Sequence, residues 1–195
     1  MYLYGASGHA KVIIDIIKSM GAPIYGIFDD NDAVKTLCGI EVNHKWSGQS
    51  PIIISIGNNR IRKLISERLS CEFDKAIHTS AVISPSVSIG DGTVVMAGAI
   101  INAEVNIGKH CIINTGASID HECVIGDFVH IAPHSTLCGN VHVGEGSWVG
   151  AGATIIPGIK IGKWCTIGAG AVVIRNVPDN VVVAGVPAKI IKYKQ

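Results

Sequence analysis

The sequence of 195 residues lacks several features that mark common functional classes. Its formal net charge is only +1, so it has no basic footprint for nucleic acid. No apolar run approaches the roughly 18 residues of a membrane-spanning helix. The N-terminus has no signal-peptide pattern, because Met1 leads directly into a strand-like segment. These absences predict a soluble, cytoplasmic protein that binds neither nucleic acid nor membrane.

The six cysteines also lack the spacing of a redox or zinc motif, since no Cys-x-x-Cys occurs. Cys111, Cys123 and Cys165 fall on small inward positions of the repeat described below, which indicates core thiols. Free thiols fit a reducing compartment. The pattern assigns no role to the other three, Cys38, Cys71 and Cys138.

A repeat of six residues dominates what is present. Every sixth residue from Ile83 to Val173 is Ile, Val or Leu, a period that neither a helix nor a simple alternating strand produces. Glycine also recurs every 18 residues from Gly90 to Gly162. Two inward residues followed by a corner describe a short strand and a bend, so three hexads close one triangular coil. The repeat predicts a parallel β-helix over residues 79–180, and its narrow core favours oligomerisation.

The first 78 residues follow a different pattern. A strand over 2–4 precedes a glycine-rich turn and a helix, further strands are predicted over 24–28 and 51–56, and a second helix over 60–69. Polar and glycine residues follow each strand, at the edge where open α/β sheets bind their ligands. We therefore predict a Rossmann-like βαβ domain, residues 1–78, with a nucleotide-like ligand.

The turn from Gly5 to His9 would let backbone amides at a helix start approach a phosphate. It is Gly-x-x-Gly-His, which does not match the dinucleotide pattern Gly-x-Gly-x-x-Gly. Simpler interpretations remain open for this edge. The glycines would then only form a tight turn, Asp29 and Asp30 would be solvated, and Asn58 or Asn59 would cap the second helix.

The histidines of the repeat all fall off the inward positions: His110, His121, His130, His134 and His142. Such residues project outward, and a surface role is the simplest interpretation. His121 differs because it is flanked by Asp120 and Glu122. A neighbouring carboxylate makes an imidazole a stronger base, as general-base catalysis requires. A metal site between subunits, as in γ-class carbonic anhydrases, is the alternative, but no third histidine has the spacing of that triad, and no metal is expected.

Several segments together resemble one family: the hexad ladder, Tyr4–His9, Asp29-Asp30, Ile56–Asn59, Ile119–Cys123, Cys138–Val141 and Ala184–Lys189. The ladder and the last segment resemble the left-handed β-helix acyltransferases. The whole set is similar to bacterial acetyltransferases of nucleotide-linked 4-amino-6-deoxy sugars, the bacillosamine type, which are grouped with sialic acid O-acetyltransferases. The resemblance implies an α/β Rossmann-like domain, a left-handed parallel β-helix and a short C-terminal segment, 181–195. It also implies acetyl-CoA as co-substrate and a homotrimer with active sites at subunit interfaces.

The resemblance further implies roles for individual residues. His121 would be the general base for acetylation of the C4 amine of a UDP-linked 4-amino-4,6-dideoxy sugar, Glu122 would orient it, and Gly139 would offer its N–H to the thioester oxygen. The acceptor sugar nucleotide would contact Gly5, Ser7, Gly8, His9, Asp29, Asp30, Gly57, Asn58, Asn59 and His130. Coenzyme A would contact Gly139, Ala151, Gly168, Gly185, Val186, Pro187 and Lys189. Ala10 departs from the second glycine of some relatives.

The repeat also predicts a geometry. Ile119 and Leu137 are inward residues one 18-residue coil apart, so His121 and Gly139 should stack along one edge, roughly 4.8 Å apart. Two alternatives to amine acetylation stay open. One is O-acetylation of sialic acid or another sugar, and the other is a non-catalytic trimeric binding protein.

Overall fold

The computed structural model describes residues 1–194. They form an α/β unit followed by a left-handed parallel β-helix, as predicted. The first unit contains β1 (Tyr2–Tyr4), α1 (Gly8–Ser19), β2 (Gly26–Phe28), β3 (Thr36–Leu37), β4 (Ile40–Asn43), β5 (Ile52–Ile54) and α2 (Asn59–Arg68). The strand order is β3-β4-β2-β1-β5, with parallel pairing except between β3 and β4.

The hairpin of β3 and β4 is the element that sequence reasoning missed. β3 has only two residues, of which Thr36 is exposed, so it lacks the apolar run that predicts a strand. The signal was the turn between the strands, where Cys38 and Gly39 both have positive φ values of 51° and 79°. Such a turn suits a tight hairpin. The hairpin extends the sheet beyond β2 and leaves the predicted order of β2, β1 and β5 unchanged.

The β-helix contains short strands on three faces. The first face comprises β6 (Ala76–Ile77), β9 (Val94–Val95), β12 (Ile112–Ile113), β15 (His130–Ile131), β18 (Trp148–Val149), β21 (Thr166–Ile167), β23 (Val181–Ala184) and β24 (Lys189–Tyr193). The second comprises β7 (Val82–Ile83), β10 (Ile100–Ile101), β13 (Ser118–Ile119), β16 (Thr136–Leu137), β19 (Thr154–Ile155) and β22 (Val172–Val173). The third comprises β8 (Ser88–Ile89), β11 (Asn106–Ile107), β14 (Val124–Ile125), β17 (His142–Val143) and β20 (Lys160–Ile161).

The aliphatic ladder lies inside this prism with the predicted spacing. Neighbouring coils pair residues 18 apart, as Ile101 pairs with Ile119 and Ile119 with Leu137. From Val95 onward the ladder residues are at most 4 % exposed, whereas Ile83 and Ile89 at the open first coil are only partly buried. The thiols of Cys111, Cys123 and Cys165 are fully buried, as predicted. The core is therefore dry, and chemistry is confined to the faces and edges.

Three edges join the faces. The edge between the second and third faces consists of turns 103–104, 121–122, 139–140 and 157–158, and we call it the His121 edge. The edge between the third and first faces consists of turns 91–92, 109–110, 127–128, 145–146 and 163–164, and we call it the docking edge. The remaining edge, between the first and second faces, includes turns 151–152 and 169–170.

The α/β unit packs on the first face and the docking edge. Buried residues of α1, among them Ile13 and Ile17, share one cluster with Val94, Met96 and Ile112 of the prism. Burying an aliphatic side chain contributes about 1.5–3 kcal/mol, so this contact holds the two units together. None of the helices in residues 1–194 is both long and apolar enough to cross a membrane.

Candidate active site

The glycine-rich turn between β1 and α1 is shaped by Asp29. Its carboxylate accepts hydrogen bonds from the N–H of Ala6 at 2.6 Å and of Asn31 at 2.8 Å. Gly5 has a φ of +114°, and a Cβ there would lie 2.6 Å from Ile56 Cγ1, so only glycine fits. Ser7 precedes α1 without a side-chain cap. Asp29 thus already occupies the Ala6 N–H, and the amides of Gly8 and His9 at the helix start are left to meet a phosphate.

Asp30 is part of an ion-paired group at the same sheet edge. It accepts hydrogen bonds from the Tyr4 hydroxyl and from Arg68, whose Nη2 lies 2.9 Å from Asp30 Oδ2. Burial, followed by the hydrogen bond to Asp30, raises the pKa of Tyr4 to about 12. Although burial alone would raise it, the hydrogen bonds from Tyr4 and Arg68 lower the pKa of Asp30. The interpretation of Asp29 and Asp30 as simply solvated is therefore wrong.

His9 and His130 come together over Gly57. A Cβ at Gly57 would lie 4.0 Å from His9 Cγ, and the Nε2 atom of His9 is buried without a partner. His130 Nε2 accepts a hydrogen bond from Asn114 Nδ2 at 2.9 Å. Burial, then the positive charge of Arg62, lowers the pKa of His9 to about 4 and that of His130 to about 3. Both imidazoles are neutral at neutral pH.

A cleft of about 440 Å³ opens between the N-terminus of α2 and the first face, and we call it the interdomain cleft. It is lined by Gly57, Asn58, Asn59, Arg60, His130, Gly146, Trp148, Trp164, Cys165, Thr166 and Lys194. Sequence reasoning missed Arg60, Trp148, Trp164 and Lys194. One signal was available, because Trp148 follows His130 by 18 residues and must project from the same face.

Asn58 and Asn59 have structural contacts at the cleft. The side chain of Asn58 accepts from the N–H of Ile61 at 3.1 Å, so Asn58 is the predicted helix cap. Asn59 Nδ2 donates to the carbonyls of Gly146 at 3.1 Å and Ser147 at 3.3 Å on the docking edge. These contacts fix the start of α2 against the prism, and with it one wall of the cleft.

His121, Glu122 and Gly139 meet on the His121 edge. The Nδ1 atom of His121 lies 3.0 Å from Glu122 Oε2, and the His121 N–H donates to Asp120 Oδ1 at 2.8 Å. A Cβ at Gly139 would lie 2.6 Å from both Cε1 and Nε2 of His121, so the ring lies flat against this glycine. The predicted stacking of these two turns is confirmed. An Nδ1–H held by Glu122 leaves Nε2 as the basic atom.

One chain does not bring the two groups of residues together. The His121 edge joins the second and third faces, whereas the interdomain cleft lies on the first face, which is opposite that edge in a triangular prism. The residues predicted for coenzyme A are also divided. Gly139 is on the His121 edge, Ala151 and Gly168 are at the edge between the first and second faces, and Gly185 begins the turn between β23 and β24.

His110 departs from the expected surface role. It is 5 % exposed and lies between Phe73, with ring centroids 4.5 Å apart, and Phe128, at 5.2 Å. The first residues of α2 and the loop after it cover the docking edge, so an outward position there is not a solvent position. Within residues 1–194, no group of three His, Cys, Asp or Glu side chains is placed to hold a metal ion.

The chain matches two protein-family models. Residues 1–69 match the PglD N-terminal domain, and residues 140–175 match the bacterial transferase hexapeptide with six repeats. Among curated proteins, it is 44 % identical over 113 residues to the UDP-N-acetylbacillosamine N-acetyltransferase of Bacillus subtilis, and the match covers 50 % of that protein. A match of 39 % identity covers 21 % of an uncharacterized protein of Acanthamoeba polyphaga mimivirus. The chain thus spans half or less of the curated relatives it matches.

Solved structures match nearly the whole chain. A histidine-to-asparagine variant of perosamine N-acetyltransferase from Caulobacter crescentus, in complex with CoA and GDP-perosamine, is 40 % identical with a TM-score of 0.94. The alignment covers 98 % of this chain and 96 % of that one. The acetyltransferase domain of PglB from Neisseria gonorrhoeae, in complex with acetyl coenzyme A, is 37 % identical with a TM-score of 0.90, covering 97 % and 98 % of the two chains.

Proposed function

The chain belongs to the family of hexapeptide-repeat sugar N-acetyltransferases with a PglD-type N-terminal domain, and we propose that it acetylates an amine of a nucleotide-linked amino sugar with acetyl-CoA. The acceptor we propose is a UDP-linked 4-amino-4,6-dideoxy sugar, acetylated at the C4 amine. The observation that carries the proposal is the contact of His121 with both Glu122 and Gly139 at an exposed edge. That arrangement supplies a base and a nearby free N–H.

The proposed reaction is direct acyl transfer. The sugar amine attacks the acetyl carbon, a C–N bond forms, the C–S bond breaks, and coenzyme A leaves as the thiolate. His121 Nε2 takes the proton from the amine and returns it to the thiolate, while Glu122 stabilises the imidazolium through Nδ1. The Gly139 N–H, which has no acceptor within residues 1–194, would hold the developing oxyanion. A positioned base contributes about 10²–10⁴-fold, and one oxyanion donor about 2.7–4 kcal/mol.

We propose that the complete site forms between copies in a homotrimer. The interdomain cleft of one copy would hold the sugar, with the Gly5–His9 turn and Asp29 near the nucleotide, and a second copy would contribute its His121 edge. Partly exposed apolar side chains on the second and third faces support such contacts, among them Val82 at 64 %, Ile100 at 43 % and Val124 at 40 %. Acetyl-CoA would run past Gly139 toward the C-terminal turn. The buried free thiols suit the cytoplasm as the site of this reaction.

The first experiment offers the purified chain acetyl-CoA with UDP-linked and GDP-linked 4-amino sugars and with free and CMP-linked sialic acid. We expect acetyl transfer to an amino sugar, and we expect His121→Ala to lower turnover more than about tenfold with the oligomer intact. Acetylation of sialic acid alone would replace the amine by a hydroxyl acceptor. Failure to bind acetyl-CoA in calorimetry would instead favour a non-catalytic trimeric binding protein.

A second experiment tests the shared site by mixing two inactive variants. His121→Ala lacks the base but has an intact cleft, and His130→Ala has an altered cleft but an intact His121 edge. In randomly mixed cyclic oligomers, about a quarter of the interfaces would combine two intact halves, so activity should return to about a quarter of the wild-type value. Mixtures that stay inactive after exchange of subunits would contradict a site shared between copies.

A further inference from the structure

Arg62 is the one charged side chain of α2 that is fully buried. It is 1 % exposed, and its five N–H donors all have acceptors. Nε donates to the His110 carbonyl at 2.8 Å, Nη1 to the carbonyls of Ile56 at 3.0 Å and Gly57 at 3.2 Å, and Nη2 to Asn59 Oδ1 at 2.8 Å and the Phe128 carbonyl at 3.1 Å. No partner is a carboxylate.

The lack of a carboxylate separates Arg62 from the other cations of this helix. Lys63 pairs with Glu145 at 2.7 Å, and Arg68 pairs with Asp30 at 2.9 Å. A buried charge without a counter-ion is costly, and a well-packed apolar residue is often at least as stabilising in such a position. A role in stability alone therefore explains Arg62 poorly. The charge itself needs a function.

The contacts of Arg62 lead to the histidines of the cleft. Nη1 holds the carbonyls of the loop that follows β5, including Gly57, while Nε and Nη2 grip two successive turns of the docking edge. Gly57 is the surface on which His9 rests, and the Gly57 backbone is also an interaction partner of His130. Arg62 thus fixes both imidazoles relative to the prism through one loop.

The charges around these imidazoles have one sign. His130 faces Arg62 and His9, with the neutral Asn114 on its Nε2 atom, and His9 faces Arg62. No carboxylate among residues 1–194 offsets the guanidinium at either ring. Burial and this positive charge lower the pKa of both histidines, so that each keeps a free lone pair for a donor on the acceptor sugar.

We propose that Arg62 is a positioning residue for the acetyl-acceptor site, which holds the Gly57 loop in place and keeps His9 and His130 neutral. This inference rests on the proposed function, because it assigns the cleft to the amino sugar. A neutral pair of imidazoles accepts hydrogen bonds from hydroxyl or ammonium groups. The same pair in its charged form would repel the ammonium form of the amino sugar.

The test compares Arg62→Met, which keeps the volume without the charge, with Arg62→Lys, which keeps the charge with fewer donors. For Arg62→Met, we expect the KM for the amino sugar to rise about tenfold or more, with the KM for acetyl-CoA within about twofold of wild type. The acid limb of kcat/KM should move to higher pH, because both imidazoles gain protons more readily. Arg62→Lys should keep the acid limb of wild type. Lys63→Met is the control, since it removes a docking contact without touching the Gly57 loop.

A second measurement works without turnover. Titration of the His9 and His130 imidazoles by NMR should show both pKa values raised in Arg62→Met and unchanged in Arg62→Lys. Equal changes in both KM values with unmoved histidine titrations would reduce Arg62 to a structural strut and overturn the proposal. If Arg62→Met does not fold, the Arg62→Lys titration decides, because a shift there contradicts the charge argument. Absence of acetyl transfer in every variant would count against the proposed function alone, since the titrations stand apart from it.

Discussion

Gly139→Ala is the sharpest test of the proposed base, because a single methyl group would displace it. The new Cβ would lie 2.6 Å from Cε1 and Nε2 of His121 and 3.2 Å from Nδ1. Favourable contacts between such atoms lie at about 3.5–4.0 Å, so the ring must retreat by roughly 1 Å. The side chain of His121 is 56 % exposed, so it can swing outward without disturbing the core.

The expected magnitude follows from that displacement. A misplacement of about 1 Å costs about 10²-fold in rate, which equals roughly 2.7 kcal/mol of transition-state stabilisation. Stability should move the other way or stay level. Gly139 is not among the residues with positive φ, and Gly→Ala at a compatible backbone gains about 0.4–1 kcal/mol. We therefore expect an equally or more stable protein with about one hundredth of the activity.

The assay measures kcat/KM for the amino sugar, together with thermal unfolding and oligomeric state. The matched control adds Gly139→Ala to a His121→Ala background. If the methyl group acts only by moving the imidazole, the second substitution costs nothing further, because the interaction it disturbs is already gone. Rates close to wild type in the single variant, or full multiplication of the two losses in the double variant, would refute the reasoning.

Further predictions concern stability and reactivity. Ile119→Ala should lower the free energy of unfolding by about 2–5 kcal/mol in denaturant titration, since the side chain is fully buried in the ladder. Asn58→Ala should cost about 1 kcal/mol through loss of the α2 cap. Burial, then Arg62, lowers the pKa of His110 to about 4. The unfolded chain therefore binds more protons, and stability should fall between pH 6.5 and 4, less steeply in His110→Phe. A thiol reagent should modify exposed Cys38 and spare Cys111, whose pKa burial raises to about 12.

The prism could be predicted in detail because its pattern is local and periodic. Each hexad states which residue points inward, and a fixed period of 18 then determines which residues stack, so the pairing of Ile119 with Leu137 followed from counting. The hairpin of β3 and β4 had no such help. Its strands are too short to carry a period, and only the Cys38-Gly39 turn distinguishes them from a loop.

The site was predictable on the His121 edge and only partly predictable at the cleft. His121 and Gly139 belong to one repeat, so the sequence spacing determines their distance. The cleft depends on how two different folds pack against each other, which no spacing encodes. Arg62 looks like an ordinary helix residue in sequence, yet it is 1 % exposed. His110 looked like a surface residue for the same reason, because packing of the α/β unit covers it.

The separation of the two halves follows from the repeat and argues for assembly. His130 follows His121 by nine residues, which is half of a coil, so the two side chains must project on opposite sides of the prism. The α/β unit cannot move to the His121 edge, because Arg62 and Asn59 are bonded to carbonyls of three successive coils on the docking edge. Only a second copy can therefore bring a His121 edge to the cleft. A monomeric variant should retain ligand binding at the cleft and lose catalysis, and an active monomer would contradict this argument.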